Sequence, residues 1–128
     1  MRAAELARFV AGAAVQYGLD PRRIYAAGYS NGANIAAALL LLEPATPAGA
    51  VLFRPMIPLL PRTRPDVKGK PVFISAGRTD PIVPPDHPQG LAAMLAVLGA
   101  VVELNWIDGG HSLDTGEIVK ARNWLARH

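Results

Sequence analysis

The chain contains no cysteine. That excludes a disulfide framework, a zinc–thiolate site and a cysteine nucleophile together, and it points to a cytoplasmic protein. Long apolar runs are missing too. The longest, Ile35 to Leu42, falls far short of the ~20 residues that span a bilayer. Met1-Arg2-Ala3-Ala4-Glu5 leads into a charged amphipathic stretch, not a secretory signal. No membrane partner is expected. Aromatic residues are few, and none is interleaved with the densest basic run, Arg62-Thr63-Arg64 followed by Lys68 and Lys70, which prolines interrupt. A nucleic-acid footprint would gather basic residues on one face of a recognisable module, so no nucleic acid is expected either. His87, His111 and Asp86 lack the paired spacing of a metal site. Gly28 to Gly32 is not followed by the Lys-Ser/Thr of a phosphate loop. Neither metal nor cofactor is expected.

Apolar residues are abundant, at 51% against 18% charged, and the formal charge is only +3. Such a chain has ample surface to bury and does not read as disordered. Its 128 residues suit one domain, 1–128.

The pattern alternates between helix and strand. Leu6, Phe9, Val10, Ala13 and Tyr17 recur at helical spacing over residues 3–17, and Gly18 with Asp20-Pro21 ends that helix. Arg23-Ile24-Tyr25-Ala26-Ala27-Gly28 reads as a buried parallel strand. A helix apolar nearly all round runs from Asn31 to about Glu43. Further strands are predicted at residues 48–53, 72–76 and 101–107, with a proline-punctuated loop over 54–70. A helix is predicted over 88–98, and another follows Asp114-Thr115-Gly116-Glu117, a capping-box pattern. This order implies an α/β fold: a parallel sheet flanked by helices.

Gly28-Tyr29-Ser30-Asn31-Gly32 lies between a predicted strand and a predicted helix. A serine hydroxyl attacks only when a base takes its proton. A sharp strand-to-helix turn between glycines holds it exposed at the sheet's carboxyl edge. The N–H of Asn31 then sits at a helix N-terminus, where an oxyanion is favoured. The base should lie on a loop after the last strand, as His111 does in Asp108-Gly109-Gly110-His111-Ser112, with the two glycines permitting an unusual backbone path. For the acid, Asp80 just past the third strand is favoured over Asp86 and Asp108. The chain order serine, acid, histidine is the one that α/β-hydrolases use. His87 and His128 have no evident role.

These residues resemble the phospholipase/carboxylesterase family of the α/β-hydrolases. The resemblance is carried by Asp20-Pro21-Arg22-Arg23-Ile24, Gly28 to Asn34, Arg54-Pro55-Met56, Ser75 to Pro84 and Gly109-Gly110-His111. It implies a serine esterase for small, short-acyl esters, with Ser30 as nucleophile, His111 as base, Asp80 as orienting acid and Asn31 N–H as an oxyanion donor. It also implies upstream strands and a His-Gly loop that this sequence does not contain. The strand at 23–28 would then have a bare edge, open to pairing with a second copy.

Tyr29, Met56, Ile57 and Val83 are candidate substrate-pocket residues, the proline-held loop with Leu59 and Leu60 serving equally well as core packing. Arg54 is a candidate partner for an anionic substrate group. Three functions stay open: a carboxylesterase, a catalytically impaired assembly module, and a thioesterase or lactonase on the same residues.

Overall fold

The computed structural model describes residues 3–128. Four strands, β1 (Tyr25–Tyr29), β2 (Gly49–Phe53), β3 (Pro71–Gly77) and β4 (Val101–Ile107), form one sheet in the order β1-β2-β3-β4. Every neighbouring pair is parallel. Their helices are α1 (Ala3–Tyr17), α2 (Asn31–Leu42), α3 (Asp86–Val97) and α4 (Thr115–Ala126). Parallel strands need crossovers, and α2 and α3 supply two of them.

Side chains alternate between the sheet's faces, and each face meets its own helices. Ala50, Leu52, Val72 and Ile74 pack with Ala36, Ala37 and Leu40 of α2 and Leu91 and Leu95 of α3. Val51 and Phe73 face the other way, onto Ala121 and Trp124 of α4. The apolar runs of β2 and β3 are thereby covered on both sides.

Element boundaries differ from expectation where local chemistry intervenes. β1 starts at Tyr25, since Pro21–Arg23 form a 3₁₀ turn whose Asp20 carboxylate accepts from Arg22 N–H. α3 begins at Asp86, with Pro88 in the first turn, where no intrahelical N–H bond is lost. The face of α1 is also different. Ala7 and Ala14 are the buried residues, while Phe9 and Tyr17 are about 71% and 70% exposed. Leu6 and Val10 line an apolar groove along β1, together with Tyr25, Ala27 and Ile35. β1 forms one edge of the sheet of the described residues. No described helix is long and apolar enough to cross a membrane.

The apolar loop residues Ile57 and Leu59 pack against the core beneath α2 and α3, whereas Leu60 is exposed.

Candidate active site

All four strands run parallel, so their carboxyl ends share one edge. Ser30, Asp80 and His111 each lie just beyond such an end, after β1, β3 and β4. Ser30 caps α2 with φ 56° and ψ −116°. A non-glycine residue with positive φ is uncommon and calls for support from its surroundings. Here Ser30 N–H donates to Phe53 O at 2.8 Å, and Ser30 O accepts from Asn34 N–H at 3.1 Å. Gly28 makes the turn possible, for a Cβ there would sit 2.2 Å from the Gly32 carbonyl group. The companion glycine is not needed sterically: a Cβ on Gly32 would meet nothing within 4 Å. Only one of the two flanking glycines is required by space, because the strand backbone crosses the helix start at Gly28 alone.

Asp80 is turned inward by its own loop. Its Oδ1 accepts from Ile82 N–H at 2.7 Å and Val83 N–H at 3.0 Å. Burial pushes the carboxyl pKa up, but these two N–H groups and His111 outweigh it and hold the group below its ordinary value. The carboxylate is therefore ionised and can only accept hydrogen bonds. Its Oδ2 lies 2.8 Å from His111 Nδ1, so Nδ1 is the donor, and in the neutral imidazole Nε2 then presents the lone pair. That lone pair faces Ser30 Oγ at 3.0 Å. The Asp80 side chain is about 1% exposed and His111 17%, so the pair is largely shielded from water.

The competing carboxylates are elsewhere. Asp108 pairs with Arg78 at 3.0 Å in solvent, and Asp86 starts α3 on the surface. Asn31 is the first residue of α2, where a helix leaves its N–H free of intrahelical partners.

The candidate pocket residues separate. Tyr29 stands beside His111, with ring centroids 5.4 Å apart, and its hydroxyl donates to His111 O at 2.9 Å. Met56 N–H donates to Asn34 Oδ1 at 2.8 Å, tying the loop after β2 to α2. Ile57 turns into the core, and its N–H donates to His87 Nδ1 at 3.1 Å, which gives His87 a structural role. Val83 is buried and contributes its backbone to Asp80.

Arg54 corrects the expectation of an anion partner. It is about 1% exposed, with φ 58°. Its Nη1 and Nη2 each donate to the Glu117 carboxylate at 2.7 Å. Glu117 also accepts from Ser75 Oγ and from Asp114 N–H. Burial pushes the Glu117 pKa up, but Arg54, Ser75 and the Asp114 N–H prevail and keep it below the ordinary value. The capping box at Asp114 is present, but Glu117 serves the buried arginine as well. The pattern Asp-x-x-Glu signalled only the cap. Among the described residues the positive-φ glycines are Gly18, Gly69 and Gly99, so neither Gly109 nor Gly110 takes the left-handed path. The glycine that this loop requires lies opposite. A Cβ on Gly77 would come within 2.2 Å of Gly110 O and 2.5 Å of Gly109 O.

A parallel sheet flanked by helices, with the strand-to-helix turn at Ser30 between β1 and α2, is an α/β-hydrolase-type fold. Residues 1–128 match the phospholipase/carboxylesterase family throughout, and the chain belongs to that family. It is 41% identical over 124 residues to the putative hydrolase MhqD of Bacillus subtilis, covering 97% of this chain and 62% of that protein. The Bacillus cereus carboxylesterase structure matches with a TM-score of 0.92 and 41% identity, over 98% of this chain and 59% of that one. A Mesorhizobium loti carboxylesterase matches at 0.88 and 35%, over 97% and 59%. The chain thus spans about three fifths of the length of these relatives.

Proposed function

We propose that this chain carries the nucleophile, base and acid of a serine carboxylesterase acting on small esters with short acyl chains. The observation that carries the reading is the unbroken relay from Ser30 Oγ through His111 to Asp80, at 3.0 Å and 2.8 Å. The names of its relatives in Bacillus cereus and Mesorhizobium loti support the same reaction class.

In this scheme His111 Nε2 takes the Ser30 hydroxyl proton as Oγ bonds to the ester carbon. The carbonyl electrons move onto oxygen, and Asn31 N–H receives the oxyanion. As the carbon–oxygen bond to the alcohol breaks, His111 returns the proton to the leaving oxygen. Water, deprotonated by His111, then attacks the acyl-enzyme, and the same proton restores Ser30. Asp80 holds the imidazole in the tautomer the cycle needs and stabilises its charged form. The cycle calls for no cofactor. A cysteine-free chain doing this work suits the cytoplasm. Tyr29 and Met56, close to the serine turn, are proposed to border the substrate.

A fluorophosphonate probe tests the proposal. The expected result is labelling of Ser30 that is lost in Ser30→Ala and sharply reduced in His111→Ala. Labelling that persists in Ser30→Ala would overturn it. A panel of esters, thioesters and lactones separates the esterase from a thioesterase or lactonase.

The edge position of β1 beside an apolar groove favours a second reading, in which the edge pairs with another polypeptide, a second copy included. Under it, light scattering gives a dimer, and Ser30 stays unlabelled.

A further inference from the structure

The loop that carries His111 is not held as the serine turn is. Three successive carbonyls, those of Gly110, His111 and Ser112, are each received by a side chain. Arg54 Nε donates to Gly110 O at 2.9 Å, Tyr29 Oη to His111 O at 2.9 Å, and Arg54 Nη2 to Ser112 O at 2.8 Å. One guanidinium therefore brackets the histidine in sequence, and one phenol grips the histidine's own peptide. Backbone pairing between the loops after β3 and β4 stops just short, with Thr79 N–H donating to Gly109 O.

Arg54 is fixed in turn. Glu117 accepts from both of its terminal nitrogens, and Ser75 Oγ donates to Glu117. Asn105 Nδ2 donates to Ser75 Oγ at 3.2 Å. The network thus joins the end of β2, the middle of β3 and β4, and the first turn of α4. A buried ion pair adds little net stability compared with apolar residues of equal volume, so stability alone does not account for it. Its geometry does have a further consequence: with the charge paired to Glu117, the guanidinium still donates to the carbonyls of Gly110 and Ser112, on either side of His111. The left-handed φ of Arg54 is the second sign, for backbone held in a sparse region concentrates at functional sites.

We infer that Arg54 and Tyr29 are positioning residues for His111, with Glu117 and Ser75 orienting Arg54. This rests on the esterase reading as far as rate is concerned, while the placement of the imidazole does not depend on it. Neither Arg54 nor Tyr29 handles the proton. They hold the peptide from which the imidazole reaches Ser30, and a displacement near 1 Å at a reacting group costs on the order of 10²-fold in rate.

Two variants test this. Tyr29→Phe removes one hydroxyl from a side chain that is about 40% exposed and leaves the core intact. Arg54→Met with Glu117→Leu removes both buried charges together, avoiding an unpaired ion. Each is assayed with p-nitrophenyl acetate for kcat and KM, with the fluorophosphonate probe, and by proton NMR for the downfield Nδ1–H resonance of His111. The expected fall in kcat is about 3- to 10-fold for Tyr29→Phe, the size of one lost hydrogen bond. It is about 10²-fold for the double variant, with KM little changed in both. The His111 resonance should broaden as its proton exchanges faster with water. Unchanged kcat and an unchanged resonance in folded variants would overturn the inference. Should the double variant fail to fold, Tyr29→Phe decides alone. Should Ser30 go unlabelled in the parent chain, the esterase reading fails. The NMR signal then decides the positioning by itself: broadening in Tyr29→Phe upholds it, and an unchanged line overturns it.

Discussion

The turn around Ser30 and the loop around His111 face each other across two hydrogen bonds, from Ser30 Oγ to the imidazole and from Tyr29 Oη to the His111 carbonyl, yet they are held by different means. The serine turn is mostly local: a pentapeptide, one required glycine and a backbone bond to Asn34, with a single backbone bond out to Phe53 on β2. The histidine loop is assembled from afar, by Arg54, Tyr29 and Asp80 on three other segments, with Gly77 leaving room for it. A local device survives changes elsewhere as long as its own residues remain. An assembled one inherits the stability of every segment that contributes to it.

The largest expected effect attacks the link between the two. Under the proposed function, Asp80→Asn should lower the esterase rate by about 10⁴-fold, since the amide favours the wrong imidazole tautomer. Activity against the folded fraction by circular dichroism checks that the loss is not one of folding. Next, breaking the buried pair on one side only, with Glu117→Leu, should cost about 3–5 kcal/mol of stability by leaving Arg54 uncompensated. Removing both charges should restore most of it, and urea midpoints for the single and double variants give the comparison. Equal losses in both would mean that the cost does not come from leaving the Arg54 charge unpaired. On the serine side, Gly28→Ala should cost about 3 kcal/mol or more, because the new Cβ overlaps the Gly32 backbone.

Smaller effects sharpen the contrast. Asp80 and Glu117 both have carboxyl pKa values held below the ordinary 3.8 and 4.5. A group depressed by folding binds protons more readily when unfolded, so stability rises with pH in that range. Their contribution should be complete above about pH 4.5 and lost as the pH falls through the lowered folded values. Melting temperatures measured from neutral pH downward should therefore drop at the acid end, and Glu117→Gln should flatten part of that drop. Smallest of all, Gly32→Ala should raise stability by about 0.5–1 kcal/mol, as alanine replaces glycine in a helix with free space beside it. A destabilised Gly32→Ala would show that the serine turn is tighter than its geometry implies.

Much was legible in advance, for identifiable reasons. The parallel α/β order followed from apolar runs of strand length alternating with helical spacing. The α4 start followed from Asp114 and Glu117, because a cap is a contact between neighbours in sequence. Ser30, Asp80 and His111 could be singled out because strand ends bring them to one edge whatever the side-chain packing. The buried face of α1 was not legible. Its large apolar residues suggested one stripe, but Ala7 and Ala14 are the ones enclosed, and periodicity does not say which stripe finds a neighbour. Arg54 was misread for a similar reason. An arginine after a strand looks like a surface cation until Glu117, far along the chain, is seen to meet it.

The sequence by itself thus determined the alternation of elements, the site of the sharp turn at Ser30 and the candidates for its partners, because each depends on residues close together in the chain. Only the tertiary structure decided that Asp80, not Asp86 or Asp108, meets His111, and that Arg54 turns inward to carry the His111 loop. Those choices are contacts between segments tens of residues apart. A hydrogen bond of such range is set by where the strands end and how the sheet is covered, and no local pattern records it.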